Sequence, residues 1–217
     1  MEIAISIPCL DYMASDCAIS LMALALYMGQ PEIRQTLGDD VRLSLNVHKG
    51  SILPHARRKL IEDAIAHDAT HAFFVDSDVV VPPDALVRLL LYDVPIVLAS
   101  YPRRYGGETR VIGRTLEGPD APRHPLLTPM ATAPLGCALI SLKVFESLSR
   151  PWFGYYFAGK VGAMELPEDR AEDTHFCAIA REAGHTIWLD PQLTREIGHV
   201  GAQVIRFDPR NARAAGA

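Results

Sequence analysis

The stretch HAFFVDSDVVVPPDALVRLL, residues 71–90, decides the fold. His71 to Val75 is a short, largely apolar run between polar flanks, which suits a strand buried on both faces, since a helix needs ten or more residues. The polar triplet Asp76-Ser77-Asp78 stops the run. Pro82-Pro83-Asp84 then opens a helix through about Tyr92, because proline is tolerated in a first turn, where its missing N–H is not needed. A buried strand, a polar turn and a helix in that order form the repeating unit of a parallel sheet with helices packed on it.

The same alternation extends in both directions. Upstream, Ile3, Ile5 and Ile7 alternate with Ala4 and Ser6 as a strand ending at Pro8, and Ala18 to Met28 reads as a buried helix. Val41, Leu43, Leu45 and Val47 alternate with Arg42, Ser44 and Asn46 as a second strand, left through the turn Lys49-Gly50-Ser51. Ala56, Leu60, Ile61, Ala64 and Ile65 recur at helical spacing, with Pro54 in the first turn and Arg57, Arg58, Glu62 and Asp63 off the stripe. Downstream, Ile96 to Ala99 is a strand, Cys137 to Leu142 a strand, Lys143 to Leu148 a short helix, Ala171 to Ala183 a helix ended by Gly184, and Thr186 to Leu189 a strand. Between Tyr101 and Pro134 six prolines (102, 119, 122, 125, 129 and 134) leave no room for a lasting element, so an irregular functional loop is expected there. Residues 207–217 are expected to fray. The expected architecture is α/β: one domain over residues 1–217, a mostly parallel sheet flanked by helices on both faces.

Composition narrows the class. Of 217 residues 49% are hydrophobic and 22% charged, enough to build a core, which excludes disorder, collagen and coiled coil. With 26 acidic against 21 basic residues the formal charge is −5, which removes the electrostatic drive towards nucleic acid. Cys9, Cys17, Cys137 and Cys177 form no C-x-x-C pair, and reduced thiols are expected. The N-terminus lacks a basic, then apolar, leader, and the longest apolar run, Ala18 to Met28, is far short of the roughly 20 residues of a membrane span. A soluble, cytoplasmic protein without a transmembrane segment is the expectation.

Three features carry candidate chemistry. In an extended chain residues i and i+2 point the same way, so Asp76 and Asp78 are expected to leave the carboxyl edge of the sheet together, at the edge where α/β folds bind ligands. Two hard oxygen ligands suit magnesium or manganese, which keep waters and take further ligands from phosphates, so the pair would clamp a diphosphate through the metal. The motif alone is weak, because 15 Asp in 217 residues supply roughly one Asp-x-Asp by chance, and a solvated turn is the plain alternative. Its place at a strand end favours the metal, since adjacent carboxylates repel unless a cation lies between them. Glu172-Asp173, ahead of Phe176, Ile179, Ala180 and Ala183, is an acidic pair at a helix N-terminus, where favourable first-turn charge is the plain reading. His199 stands in Ile197-Gly198-His199-Val200-Gly201 beyond the last core strand, and a lone histidine is more often structural.

The order of these pieces, from ISIP through SILPHARRKL, FFVDSDVVVPPDALVRLL, PLGCALISLKVFESL, RPWF and EDTHFCAIAREAGHTIWLDP to IGHVG, resembles the nucleotide-diphospho-sugar transferases of the GT-A fold, the group around family 2-like glycosyltransferases. The resemblance covers most of the chain. It implies that Asp78 is a direct ligand of Mn2+ or Mg2+, that Asp76 sits nearer the ribose or the metal's waters, and that His199 completes the metal site or touches the diphosphate. It further implies that Pro8, Cys9 and Asp11 hold the nucleotide base, that Arg57 is the basic position of the S-I-L-x-x-A-R-N stretch, and that Gly136 turns beside the donor sugar. Glu172 and Asp173 match the pair on the acceptor side, with Asp173 as the base. Arg58 stands where the family has Asn. The function implied is transfer of a sugar from a nucleotide-diphosphate donor to an unknown acceptor hydroxyl, inverting or retaining, with arginines of the irregular loop (103, 104, 110, 114 and 123) over the diphosphate. Such a short chain could oligomerise to complete the acceptor site. The alternatives are a catalytically inactive binding or scaffold module and a sugar-phosphate nucleotidyltransferase, although IPCLDYMASD lacks the glycine and lysine the latter needs after its first strand.

Overall fold

The computed structural model describes residues 1–38, 40–103, 112–119, 121–157, 159–161, 164–166, 170–201 and 204–205. The expected frayed tail and two of the loop arginines, Arg104 and Arg110, lie outside the described residues. In chain order the elements are β1 (Glu2–Cys9), α1 (Ser15–Met28), α2 (Pro31–Leu37), β2 (Arg42–Lys49), α3 (Leu53–Ala66), β3 (His71–Val75), β4 (Val79–Val80), α4 (Ala85–Leu91) and β5 (Ile96–Leu98). They continue with β6 (Arg114–Thr115), β7 (Thr128–Thr132), β8 (Cys137–Ser141), α5 (Val144–Ser147), β9 (Gly159–Val161), β10 (Met164–Leu166), α6 (Glu172–Glu182), β11 (Ile187–Leu189), α7 (Pro191–Thr194), β12 (Gly198–Val200) and β13 (Val204–Ile205).

Eight strands form the main sheet in the order β2-β1-β3-β8-β5-β11-β7-β6. β1 pairs in parallel with β2 and β3, and β5 with β11, while β8 runs antiparallel to both β3 and β5, and β7 to both β11 and β6. Only β7 and β8 are therefore reversed, and the sheet is mostly parallel in direction. The pleat divides the core cleanly. Ile3, Ile5 and Ile7 of β1, Phe73 and Val75 of β3, and Val97 of β5 face one layer, where Cys17, Leu21 and Leu24 of α1 and Leu86 of α4 cover them. Ala4, Ala72, Phe74 and Leu98 face the other, under Leu60, Ile61 and Ala64 of α3 and Phe176 and Ile179 of α6. Alternate side chains of one strand thus serve two apolar layers, and this is why the central strands read as continuous hydrophobic runs.

Two sequence expectations about the fold need correction. The stretch 101–134 is not without structure, because β6 and β7 extend the sheet within it. Pro129 lacks an N–H, yet its carbonyl accepts from Leu116 N at 2.8 Å, so proline content alone did not exclude a strand. α1 is not buried all round: Ile19, Met22 and Leu26 are 67%, 68% and 71% exposed, because a helix lying on a sheet covers it with one stripe only. α2 and the small sheet β13-β12-β4 have no counterpart in the periodicity reading, being too short to show a pattern. All four cysteines are buried and free, and no helix among the described residues is long and apolar enough to cross a membrane.

Candidate functional site

Beyond β3 the chain does not stay extended. Val79 N–H donates to the Asp76 carbonyl at 2.9 Å, closing a turn over Asp76-Ser77-Asp78-Val79. Every carbonyl of the triplet is held: Ala14 N–H donates to Ser77 O at 2.9 Å and Val200 N–H to Asp78 O at 2.7 Å, while Asp76 N–H donates to Gly136 O at 3.0 Å. The expectation that the two carboxylates leave the sheet together is therefore corrected, because a turn, unlike a strand, sends i and i+2 apart. Asp76 and Asp78 reach different partners.

The Asp76 side is a buried network. Arg57 of α3, only 1% exposed, donates Nη2 to Asp76 Oδ1 at 2.8 Å and Nε to Glu172 Oε1 at 3.4 Å, and its guanidinium stands 5.1 Å from the Phe74 ring centroid. Burial alone would lower the arginine's pKa, but Asp76 and then Glu172 more than offset it and raise it. Arg57 Nη1 is buried without a hydrogen-bond partner among the described residues, the one donor of the cluster left over. Asp76 Oδ2 accepts from the Tyr101 hydroxyl at 3.2 Å. Gly136 makes room for this pair, since a Cβ there would lie 2.5 Å from both Asp76 Oδ2 and Tyr101 Oη. Arg58 turns away, to Glu62 at 2.8 Å.

On the Asp78 side the partner is His199. β12 pairs with β4 in the register His199↔Val79, which carries the histidine to the residue next to Asp78. His199 Nε2 lies 3.6 Å from Asp78 Oδ1, and Nδ1 lies 2.8 Å from the Pro102 carbonyl. A carbonyl only accepts, so Nδ1 carries a proton, and in the neutral ring this leaves Nε2, the nitrogen nearer Asp78, with the lone pair that a metal ligand requires. The imidazole is 7% exposed and packs edge-on against Tyr101, centroids 4.8 Å apart. Tyr101 therefore touches both sides of the turn. The sequence reading missed it, although a polar side chain just past β5 stands at the edge where such folds bind ligands.

The acidic pair opens α6. Glu172 is buried against Arg57, and burial pushes its carboxyl pKa up, with Arg57 opposing. Asp173 is also raised by burial, against a pull downwards from Thr174, whose N–H donates to Oδ1 at 2.6 Å; Arg57 and Asp76 both act on it. Oδ2 of Asp173 has no hydrogen bond among the described residues. A cleft of about 250 Å3 beside the turn is lined by Pro8, Cys9, Leu10, Gly50, Ser51, Leu53 and Asp76 to Asp78. Asp11 is exposed on the loop after β1 and does not line it. A cleft of about 800 Å3 lies at the other edge, around Thr70, His71, Ser141 and Trp152, but the amino ends of the strands are not where α/β sheets gather ligands.

As a donor set, Asp78 and His199 offer one hard oxygen and one imidazole nitrogen. Among the described residues no group of three or more His, Cys, Asp or Glu side chains is placed to hold a metal ion. A two-ligand set fits magnesium or manganese, which complete their shells with water and phosphate, and would leave zinc under-coordinated.

No family profile and no curated protein sequence matches the chain. Among solved structures it is similar to A197 from STIV, at 14% identity over 96% of this chain and 95% of that one, with a TM-score of 0.52. It is also similar to residues 1–349 of TarS from S. aureus, solved in complex with UDP-GlcNAc, at 12% identity over 87% of this chain and 56% of that one, with a TM-score of 0.48. The likeness to A197 is one of overall fold.

Proposed function

We propose that the chain is a metal-dependent glycosyltransferase that takes its sugar from a nucleotide-diphosphate donor. The observation that carries this reading is the meeting of Asp78 with His199, whose Nδ1 is held by the Pro102 carbonyl, beside a cleft at the carboxyl edge of the sheet. The sequence resemblance to the nucleotide-diphospho-sugar transferases, which rests in part on the same residues, supports it as well.

Asp78 and His199 would hold Mn2+ or Mg2+. When bound, such an ion stabilises the negative charge that grows on a departing diphosphate. Pro8 and Cys9, lining the cleft, are the surface against which the nucleotide rests. Arg57 serves from behind: it fixes the carboxylates of Asp76 and Glu172 and has only Nη1 left to offer a ligand. Tyr101 orients Asp76 and packs on His199, so both ends of the turn are held before substrate arrives. In an inverting reaction Asp173 takes the proton of the acceptor hydroxyl on Oδ2, and its raised pKa makes it a better base than an exposed carboxylate. In a retaining one it orients the acceptor instead.

Thermal shifts test the donor site. Manganese with one of UDP, GDP, TDP or CDP should raise the melting temperature by several degrees, EDTA should abolish the shift, and Asp78→Ala should lose it while staying folded. A shift of full size in Asp78→Ala sinks the metal role, and no shift with any nucleotide sinks the donor reading.

A further inference from the structure

We propose that the outer face of α1 and the open half of β2 form a docking surface for a second copy of this chain, so that the protein is a twofold dimer. The outer face of α1 is apolar where that of a solvated helix is charged. Asp16 is the only charged residue of α1, which is apolar all round, the composition of a helix covered on every side. Yet only its inner stripe lies on the sheet, and Ile19, Met22 and Leu26 stand in solvent. α3, on the other layer, shows the usual pattern, with Arg58 and Lys59 paired to Glu62 along its outer side.

β2 continues the apolar surface. It is an edge strand, and its register Ile5↔Leu45 and Ile7↔Val47 turns Leu45 and Val47 to the same face of the sheet as α1. Leu43 packs into the core layer there, but Leu45 and Val47 remain 62% and 45% exposed. The two pieces adjoin. Val81 N–H donates to Ser20 Oγ at 3.3 Å, which turns the Ser20 flank of α1 towards the β3 side of the sheet. At about 100° per residue, Ala18, Met22 and Ala25 occupy the opposite flank, on the side of β1 where β2 lies, while Ile19 and Leu26 point away from the sheet.

A second copy fits this shape reciprocally. Its α1 lies antiparallel beside the first, the helices meeting through Ala18, Met22 and Ala25, whose two alanines allow close approach, while Ile19 and Leu26 of each copy cover Leu45 and Val47 of the other. The twofold axis passes near Met22, at the middle of α1, and the same patch serves on both sides. At about 100 Å2 for each large apolar side chain, the five offer on the order of 500 Å2 per copy. A standard interface covers about 800 Å2 on each partner, somewhat over half of it apolar, so this surface supplies the apolar share. Charge selects the occupant. Asp16 on α1 and Lys49 at the end of β2 are one of each sign, and Arg42 at its start is paired with Glu2 at 3.0 Å, so two copies bring no excess of like charge together. A helix that lies on a membrane displays Lys and Arg, and α1 has neither. A different protein would need polar groups that discriminate it, whereas this seam is apolar throughout.

Sedimentation of the full chain tests the dimer. Wild type at about 100 μM should run at twice the chain mass and dissociate on dilution with a micromolar Kd. Met22→Glu and Leu45→Glu, each placing charge in the seam, should weaken association roughly a hundredfold or more and leave monomers. Both side chains are mostly exposed, so neither change threatens folding. Met22→Cys should form a disulfide-linked dimer with diamide as oxidant, whereas Asp63→Cys, exposed on α3 in the other layer, should not. The four native cysteines are buried and do not compete. A monomeric wild type at that concentration would overturn the inference, as would a dimer that persists in either glutamate variant or a Met22→Cys chain that stays unlinked. A monomer that binds phosphatidylglycerol vesicles, and loses them in Met22→Glu, would assign the surface to a membrane instead. Nucleotide binding, read by the thermal shifts with manganese, stands or falls separately.

Discussion

The two carboxylates of the Asp76–Val79 turn are separated by one residue and have different partners. Asp76 is held at both oxygens, by a buried arginine and a buried tyrosine, while Asp78 has a histidine beside it, and both residues line the cleft. A symmetrical Asp-x-Asp motif thus hides two carboxylates with different partners.

Removing Arg57 should give the largest effect. Arg57→Met leaves the carboxylates of Asp76 and Glu172 buried without their cation, which costs about 3–5 kcal/mol of stability in a denaturant titration. Asp78→Asn should cost less than about 1 kcal/mol in the same titration while losing metal-dependent nucleotide binding. Equal losses of stability from the two variants would dissolve the contrast. Gly136→Ala comes next, at about 1–3 kcal/mol, because its methyl group collides with Asp76 and Tyr101 together. In a Tyr101→Phe background the same substitution should cost less, one of the two collisions having gone, and strict additivity in a double-mutant cycle would refute that geometry.

The smallest effect is in the pH dependence of stability. Folding raises the carboxyl pKa of Asp173 above its unfolded value through burial, so the folded state holds the proton longer. Stability from this group is full below the ordinary carboxylate range and is lost as pH rises through the folded pKa. Glu172 shifts the same way, so Asp173→Asn should reduce the fall of melting temperature with pH across that window rather than erase it. In an inverting reaction the acid limb of kcat/KM should also lie above the ordinary carboxylate range. A melting-temperature profile identical in wild type and Asp173→Asn would contradict the burial of this acid.

Much of the fold was legible because periodicity reports burial. The alternation in Ile3 to Ile7 and the run in His71 to Val75 each answer to apolar layers above and below one sheet, and both strands lie where the sequence puts them. The failures share a cause as well. β7 contains a proline yet lies in the sheet, because strand pairing is settled by neighbours distant in sequence. Asp76 and Asp78 were legible as a pair at a strand end, but not their divergence, which follows from one turn hydrogen bond. Tyr101 went unread, because an isolated aromatic carries no periodic signal and its meaning depends on what stands across from it.

Local patterns along the chain suffice for the α/β class, the strand that delivers the acidic turn to the carboxyl edge, and the helix that begins with Glu172 and Asp173. These follow from local patterns, where spacing along the chain maps directly onto a face of a strand or a turn of a helix. The pairing of Arg57 with Asp76 and Glu172, and the placing of His199 beside Asp78 by β12, come from the folded chain instead. Electrostatic partners are chosen by distance in space and by the low dielectric around them, and residues 19 positions apart, like Arg57 and Asp76, or 115, like Arg57 and Glu172, acquire both only when the chain has folded.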